Sequence, residues 1–138
     1  MRNDKIVLDT NCLLACLSSQ SENFRVWQEF QRGQYTLCVS NEIIEEYYEI
    51  ISRKTNVYIA DNVINAIIES EHVEFVDPQY HLHLIVADPD DNKFIDCAFA
   101  ANATYIVSDD RHFDVLQEVS FPQLFVIKLK EFLERLSR

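Results

Sequence analysis

The sequence predicts an α/β fold in which a mostly parallel sheet of four to five strands is covered by helices on both faces. Three observations carry this. Short apolar runs (KIVL, YTLCV, VEFV, TYIV and LFVI) alternate along the chain with stretches of helical period. Each run is apolar at nearly every position instead of every second one, as a strand buried on both faces requires. Glycine occurs once in 138 residues and proline three times, which leaves regular elements joined by short loops. No repeat, low-complexity stretch or linker interrupts the pattern, so residues 1–138 read as a single domain.

Taken in order, Lys5–Leu8 is a buried strand ending at Asp9. Residues 11–17 make a helical turn or two. Ser21 and Glu22 open a helix to Gln31, which Gly33 ends. Tyr35–Val39 is the second strand. Ser40 then caps a helix to about Arg53, with Ile43 at the third helical position. A helix spans Tyr58–Glu71, and Val73–Val76 is a short strand. Asp77–Pro89 is the loosest stretch. Asp91–Asn102 is helical, Thr104–Val107 a strand, and a short helix runs from Asp110 or Arg111 to Glu118. Leu124–Ile127 and Lys128–Arg135 close the chain as strand and helix.

Composition excludes several classes. The Gly-rich loops that cradle nucleotide phosphates are missing, which removes dinucleotide-binding and P-loop readings. The N-terminal MRNDKIVLDT lacks a signal-peptide layout and no run approaches a membrane span, so a soluble cytoplasmic protein is expected. Cys12, Cys16, Cys38 and Cys97 match no zinc spacing and read as buried reduced thiols. With 23 acidic against 12 basic residues the net charge is −11, an unusual balance for a protein that handles nucleic acid.

The placement of the acids is informative. In open α/β sheets the working site lies beyond the carboxyl ends of the strands. Asp9 follows KIVL, Ser40 follows YTLCV, and Ser108, Asp109 and Asp110 follow TYIV. On the helix after Ser40, Glu46 lies about 40° from Ile50, at the edge of the buried arc, and is the acid best placed to reach inward. Glu42, Glu45 and Glu49 read as a solvated face. The helix from Asp91 is apolar on nearly every side, yet carries Asp96, and a buried carboxylate calls for a partner such as a cation. Capping accounts for Asp91 or Asp110 taken singly, and turn chemistry for Asp88 and Asp90. Gathered together, Asp9, Asp91 and Asp110 would repel one another without a hard cation such as Mg²⁺ or Mn²⁺. His81 and His83 lack a third ligand nearby, and helix-start polarity explains His112 beside Asp110 equally well.

Three blocks, KIVLDTNCLL, VSNEIIEEYYEII and DPDDNKFIDCAFAANATYIVSDDRHF, resemble those of the PIN domain, and more narrowly the VapC-like toxins of prokaryotic toxin–antitoxin pairs. The resemblance implies a three-layer α/β/α PIN fold and a Mg²⁺- or Mn²⁺-dependent endoribonuclease leaving 5′-phosphate and 3′-hydroxyl ends. Asp9, Glu46, Asp91 and Asp110 would be the catalytic metal ligands, with Asp96 a further acid at the metal. Asn11, Ser40 and Ser108 would support them. The usual Thr-Gly-Asp turn is here Ser108-Asp109-Asp110, and of the two acids Asp110 is the one assigned as ligand. Lys93 and Arg111, with Arg2 and Lys5, are candidate phosphate contacts. The expected partners are an RNA substrate, an antitoxin whose basic segment pairs with the acids, and, compatibly, a second copy of the chain. Two rival readings remain: a catalytically silent PIN-like module binding RNA or protein, and a phosphatase with Asp9 as nucleophile, which would want a second Asp where Asn11 stands.

Overall fold

The structure is a computed structural model and describes residues 3–137. Five strands form one all-parallel sheet in the order β3-β2-β1-β4-β5. They are β1 (Lys5–Leu8), β2 (Thr36–Val39), β3 (Val73–Phe75), β4 (Tyr105–Val107) and β5 (Val126–Ile127). Around them lie α1 (Thr10–Ala15), α2 (Phe24–Gln31), α3 (Asn41–Lys54), α4 (Val57–Ile68), α5 (Asn92–Ala101) and α6 (Leu129–Leu136). Two 3-10 segments, Pro89–Asp91 and Arg111–Glu118, flank α5 and β4.

The sheet is buried as its apolar runs require. Ile6, Val7 and Leu8 of the central strand are at most 1% exposed. Tyr35 and Cys38 lie three residues apart and so point to opposite faces. Tyr35 meets Phe30 of α2 and Phe132 of α6, with ring centroids 6.1 and 5.0 Å away. Cys38 lies beside Cys97 of α5. Helices therefore cover both faces: α2 and α6 on one, α5 across β1, β2 and β4 on the other. Helix α3 packs on α4 and also touches α1 and α5.

Element ends follow local chemistry. Ser21 does not cap a helix; its hydroxyl donates to Ala15 O and accepts from Asn23 N, which holds a turn and delays α2 to Phe24. Helix α4 starts earlier than expected, because the Asn56 side chain accepts from Ile59 N at 2.8 Å and caps it. Gly33 has φ +79°, a conformation that favours glycine, and a Cβ there would lie 2.5 Å from the His72 ring and push that side chain aside. The segment expected as a short helix after Asp110 is a 3-10 helix, and only Val126 and Ile127 of the last apolar run pair into the sheet. The His81–His83 stretch, within the segment read as the loosest, is irregular and holds His83 at φ 52°. All four cysteines are free and buried, and burial pushes their thiols up. Among the described residues no helix is long and apolar enough to cross a membrane.

One buried hydrogen bond fixes α3 against the central strand. The fully buried Tyr47 hydroxyl donates to Leu8 O at 2.6 Å, directly before Asp9 and one residue after Glu46. Tyr47→Phe deprives that carbonyl of its hydroxyl donor and is expected to lower stability by about 1–2 kcal/mol in urea denaturation, without loss of helix by circular dichroism. An unchanged midpoint would show that the bond contributes nothing.

Candidate active site

Strand order reverses at β1: chain order runs outward through β2 and β3 on one side and resumes with β4 on the other. A crevice opens at such a switch point, outside the strand carboxyl ends. Leu8 and Val107 are paired neighbours, so Asp9 and Ser108 emerge side by side, and Asp9 N donates to Val107 O at 3.1 Å. Asp9 also caps α1. Its Oδ1 accepts from Cys12 N at 2.8 Å, and its Oδ2 accepts a short hydrogen bond from the Ser108 hydroxyl. Asp9 is only 6% exposed. Burial raises its pKa, although the Ser108 and Cys12 hydrogen bonds pull the other way.

Glu46 reaches the same place from the second turn of α3, which Ser40 starts by accepting from Ile43 N at 3.4 Å. It is half-buried, while Glu42, Glu45 and Glu49 are exposed. Its Oε1 takes the Lys93 ammonium at 2.7 Å, and its Oε2 a short hydrogen bond from the Thr10 hydroxyl. Burial pulls the Lys93 pKa down, but Glu46, helped by Asp90 and Glu42, more than offsets this and leaves it raised.

Asp91 ends the first 3-10 segment and Asp110 caps the second, accepting from His112 N at 2.8 Å. The His112 Nδ1 lies 3.4 Å from both Asp91 Oδ2 and Asp110 Oδ1. Burial, then the neighbouring Asp88 carboxylate, push the Asp91 carboxyl up to about 6, against the His112 hydrogen bond. Among the described residues, one trio offers ligand atoms all within 4.8 Å of one another: Asp88, Asp91 and His112.

These pieces share a groove of about 270 Å³, lined by Asp9, Thr10, Asn11, Glu46, Asp88, Asp90, Asp91 and Asp110, with Arg53 and Lys54 along its rim. The expected quartet of Asp9, Glu46, Asp91 and Asp110 thus faces one space. Asp109 is used differently. Its Oδ1 accepts from Leu129 N at 3.0 Å, at the start of α6.

Other expectations need correction. Asp96 is buried but does not line this groove; its carboxylate is satisfied by Leu82 N at 3.0 Å and faces His81 Nδ1 at 3.2 Å. Lys5 sits at the opening of β1, at the far end of the sheet, and pairs with Glu74 at 3.0 Å. Arg111 is exposed and not among the groove's residues. Lys93 is paired with Glu46 at 2.7 Å. Arg2 lies outside the described residues. Sequence reasoning missed Thr10, Arg53, Lys54 and the approach of His112 to Asp91. Arg53 was legible: seven residues after Glu46, it falls about 20° from it on the helix. The His112 contact spans two loops and left no periodic signal.

The fold is that of a PIN domain, and the sequence matches that family over residues 5–112, so the chain belongs to it. No curated protein sequence matches it significantly. Among solved structures it is similar to VapBC2 from Rickettsia felis bound to a promoter DNA fragment, with TM-score 0.62 and 16% identity, covering 90% of this chain and 98% of that one. It is also similar to VapBC-1 from nontypeable Haemophilus influenzae (TM-score 0.61, 14% identity, 91% and 98% covered). A third is VapC20 from Mycobacterium tuberculosis, described as a sarcin–ricin loop cleaving toxin (TM-score 0.58, 16% identity, 87% and 98% covered). At these identities the likeness is one of fold.

Asp91 makes stability depend on pH when no metal is bound. Its carboxyl titrates at about 6 in the folded chain against 3.8 ordinarily, so between those values the folded state binds more protons. The stabilisation is fully present below the lower value and is lost as pH rises through the upper one. In excess chelator Asp91→Asn is expected to be more stable than wild type near pH 7, by on the order of 1 kcal/mol after solvent screening, and little different near pH 4. Equal differences at both pH values in urea denaturation would contradict this.

Proposed function

We propose that the chain is a Mg²⁺- or Mn²⁺-dependent endoribonuclease and the toxin of a toxin–antitoxin pair. The observation that carries the reading is the convergence of Asp9, Glu46, Asp91 and Asp110, from four separate stretches of a PIN domain, on one groove at the switch point of the sheet.

The donor set suits a hard divalent cation. Its groups are carboxylate oxygens, which Mg²⁺ and Mn²⁺ prefer. Asp9 is buried among neutral donors, and among the described residues no Lys or Arg pairs with Asp9, Asp91 or Asp110. Carboxylates so gathered, with Asp9 and Asp91 both pushed towards protonation, are eased by a bound cation. Asp9, Glu46, Asp91 and Asp110 would hold the ion, which when bound lowers the pKa of water and stabilises charge on a phosphoryl group.

The chain's own residues have distinct roles. Ser108 and the Cys12 N–H fix the Asp9 carboxylate in one orientation. Asn11 lines the groove beside it. Ser40 holds the start of the helix that carries Glu46. Arg53 and Lys54 on the rim can contact substrate phosphates, a local attraction that the net charge of −11 does not supply at long range. RNA as substrate and a basic antitoxin segment seated in the acidic groove complete the reading. Support comes from VapC20, which is described as cleaving the sarcin–ricin loop.

With Mn²⁺ or Mg²⁺, purified protein is expected to cut RNA and leave 5′-phosphate ends, and chelation is expected to abolish cutting. Asp9→Asn should lose on the order of 100-fold or more with the fold intact. Ser108→Ala, which frees Asp9 and also leaves the Asp110 amide without its hydroxyl acceptor, should lose roughly 10- to 100-fold. Full cleavage in excess EDTA would sink the proposal.

A further inference from the structure

Behind Glu46 lies a second cavity, of about 210 Å³, lined by Glu42, His81, His83, Asp90, Lys93 and Asp96 among others. Glu46 borders the groove and Lys93 borders this rear cavity, so their ion pair is the partition between the two. The pair is largely withdrawn from solvent, with Lys93 and Glu46 side chains 16% and 21% exposed. It is also singular. Asp9 binds a hydroxyl and an amide, and Asp91 and Asp110 share one imidazole. Glu46 alone in the quartet holds an alkylammonium, and the Thr10 hydroxyl takes its other oxygen.

We propose that Lys93 is a cation in exchange with the divalent ion: an ion arriving on Glu46 displaces the ammonium to Glu42. This rests on the metal-dependent reading above. Two positive groups cannot comfortably share one half-buried carboxylate, since screening there is weak. Glu42 is the natural second seat. It stands one turn before Glu46 on α3, about 6 Å along the axis, and lines the same cavity as Lys93. Lysine suits such an exchange as a point charge on a flexible four-carbon stem. The exchange weakens ion binding below what the carboxylates alone would give, and couples occupation of the groove to a movement in the rear cavity.

The test is Mn²⁺ titration by calorimetry of wild type, Lys93→Gln, Lys93→Arg and Glu42→Gln. Lys93→Gln keeps a hydrogen-bond donor but drops the charge, and should bind Mn²⁺ about tenfold tighter or more. Lys93→Arg should stay near wild type. Glu42→Gln, which removes the second seat, should bind several-fold more weakly. On the unaltered protein, reductive methylation read by mass spectrometry should find Lys93 protected in chelator and reactive in Mg²⁺. If Lys93 only props Glu46 in place, Lys93→Gln will bind Mn²⁺ equally or less well and Lys93 reactivity will not change; either result overturns the exchange while leaving the nuclease reading intact. A wild-type chain that binds no Mn²⁺ would remove both.

Discussion

A carboxylate buried at the end of the central strand is the constraint around which this molecule is organised. Asp9 cannot retreat into solvent, because β1 is flanked on both sides and its neighbours are covered by helices. Its charge must be answered locally. The hydroxyl of Ser108 from the adjacent strand and a free amide in the first turn of α1 do this in part, and their geometry follows from the parallel register that sets Leu8 against Val107. Neither supplies positive charge. Of the other groove acids, Glu46 is answered by the Lys93 ammonium, while Asp91 and Asp110 have only the His112 imidazole between them and raise the same demand as Asp9.

Distance between the acids is set by the scaffold more than by their own attraction or repulsion. Glu46 is held by a helix that Tyr47 anchors to β1, Asp91 by the entry to α5, and Asp110 by the turn after β4. Each is carried by a different element, and the Ser108 hydroxyl ties the Asp110 amide to the Asp9 carboxylate. Among the described residues, the group whose ligand atoms all lie within 4.8 Å of one another, Asp88, Asp91 and His112, does not include Asp9.

Much of this was legible in the sequence, for identifiable reasons. Continuous apolar runs declare a sheet buried on both faces, and the acids that follow those runs fall where parallel strands end. Glu46 stands apart from the other three glutamates of its helix by its angle to the apolar arc, a purely helical argument. What periodicity could not reach lay in irregular chain. A buried Asp96 does need a partner, and it has two. Leu82 N and His81 belong to the stretch between β3 and α5, which follows no repeat and whose path sequence does not announce. Lys5 is close to Asp9 in sequence, yet a four-residue strand is long enough to carry it to the opposite rim of the sheet.

The doublet Asp109-Asp110 divides its labour. One acid turns to the groove, while the other receives the first amide of α6. The terminal helix is thereby tethered to the loop on which the neighbouring groove acid stands, and Phe132 locks it further against Tyr35. Recognisable family sequence stops at residue 112, but the mechanical unit does not. Trimming the chain to its recognisable part would keep every acid of the groove and still untether the loop that aims one of them.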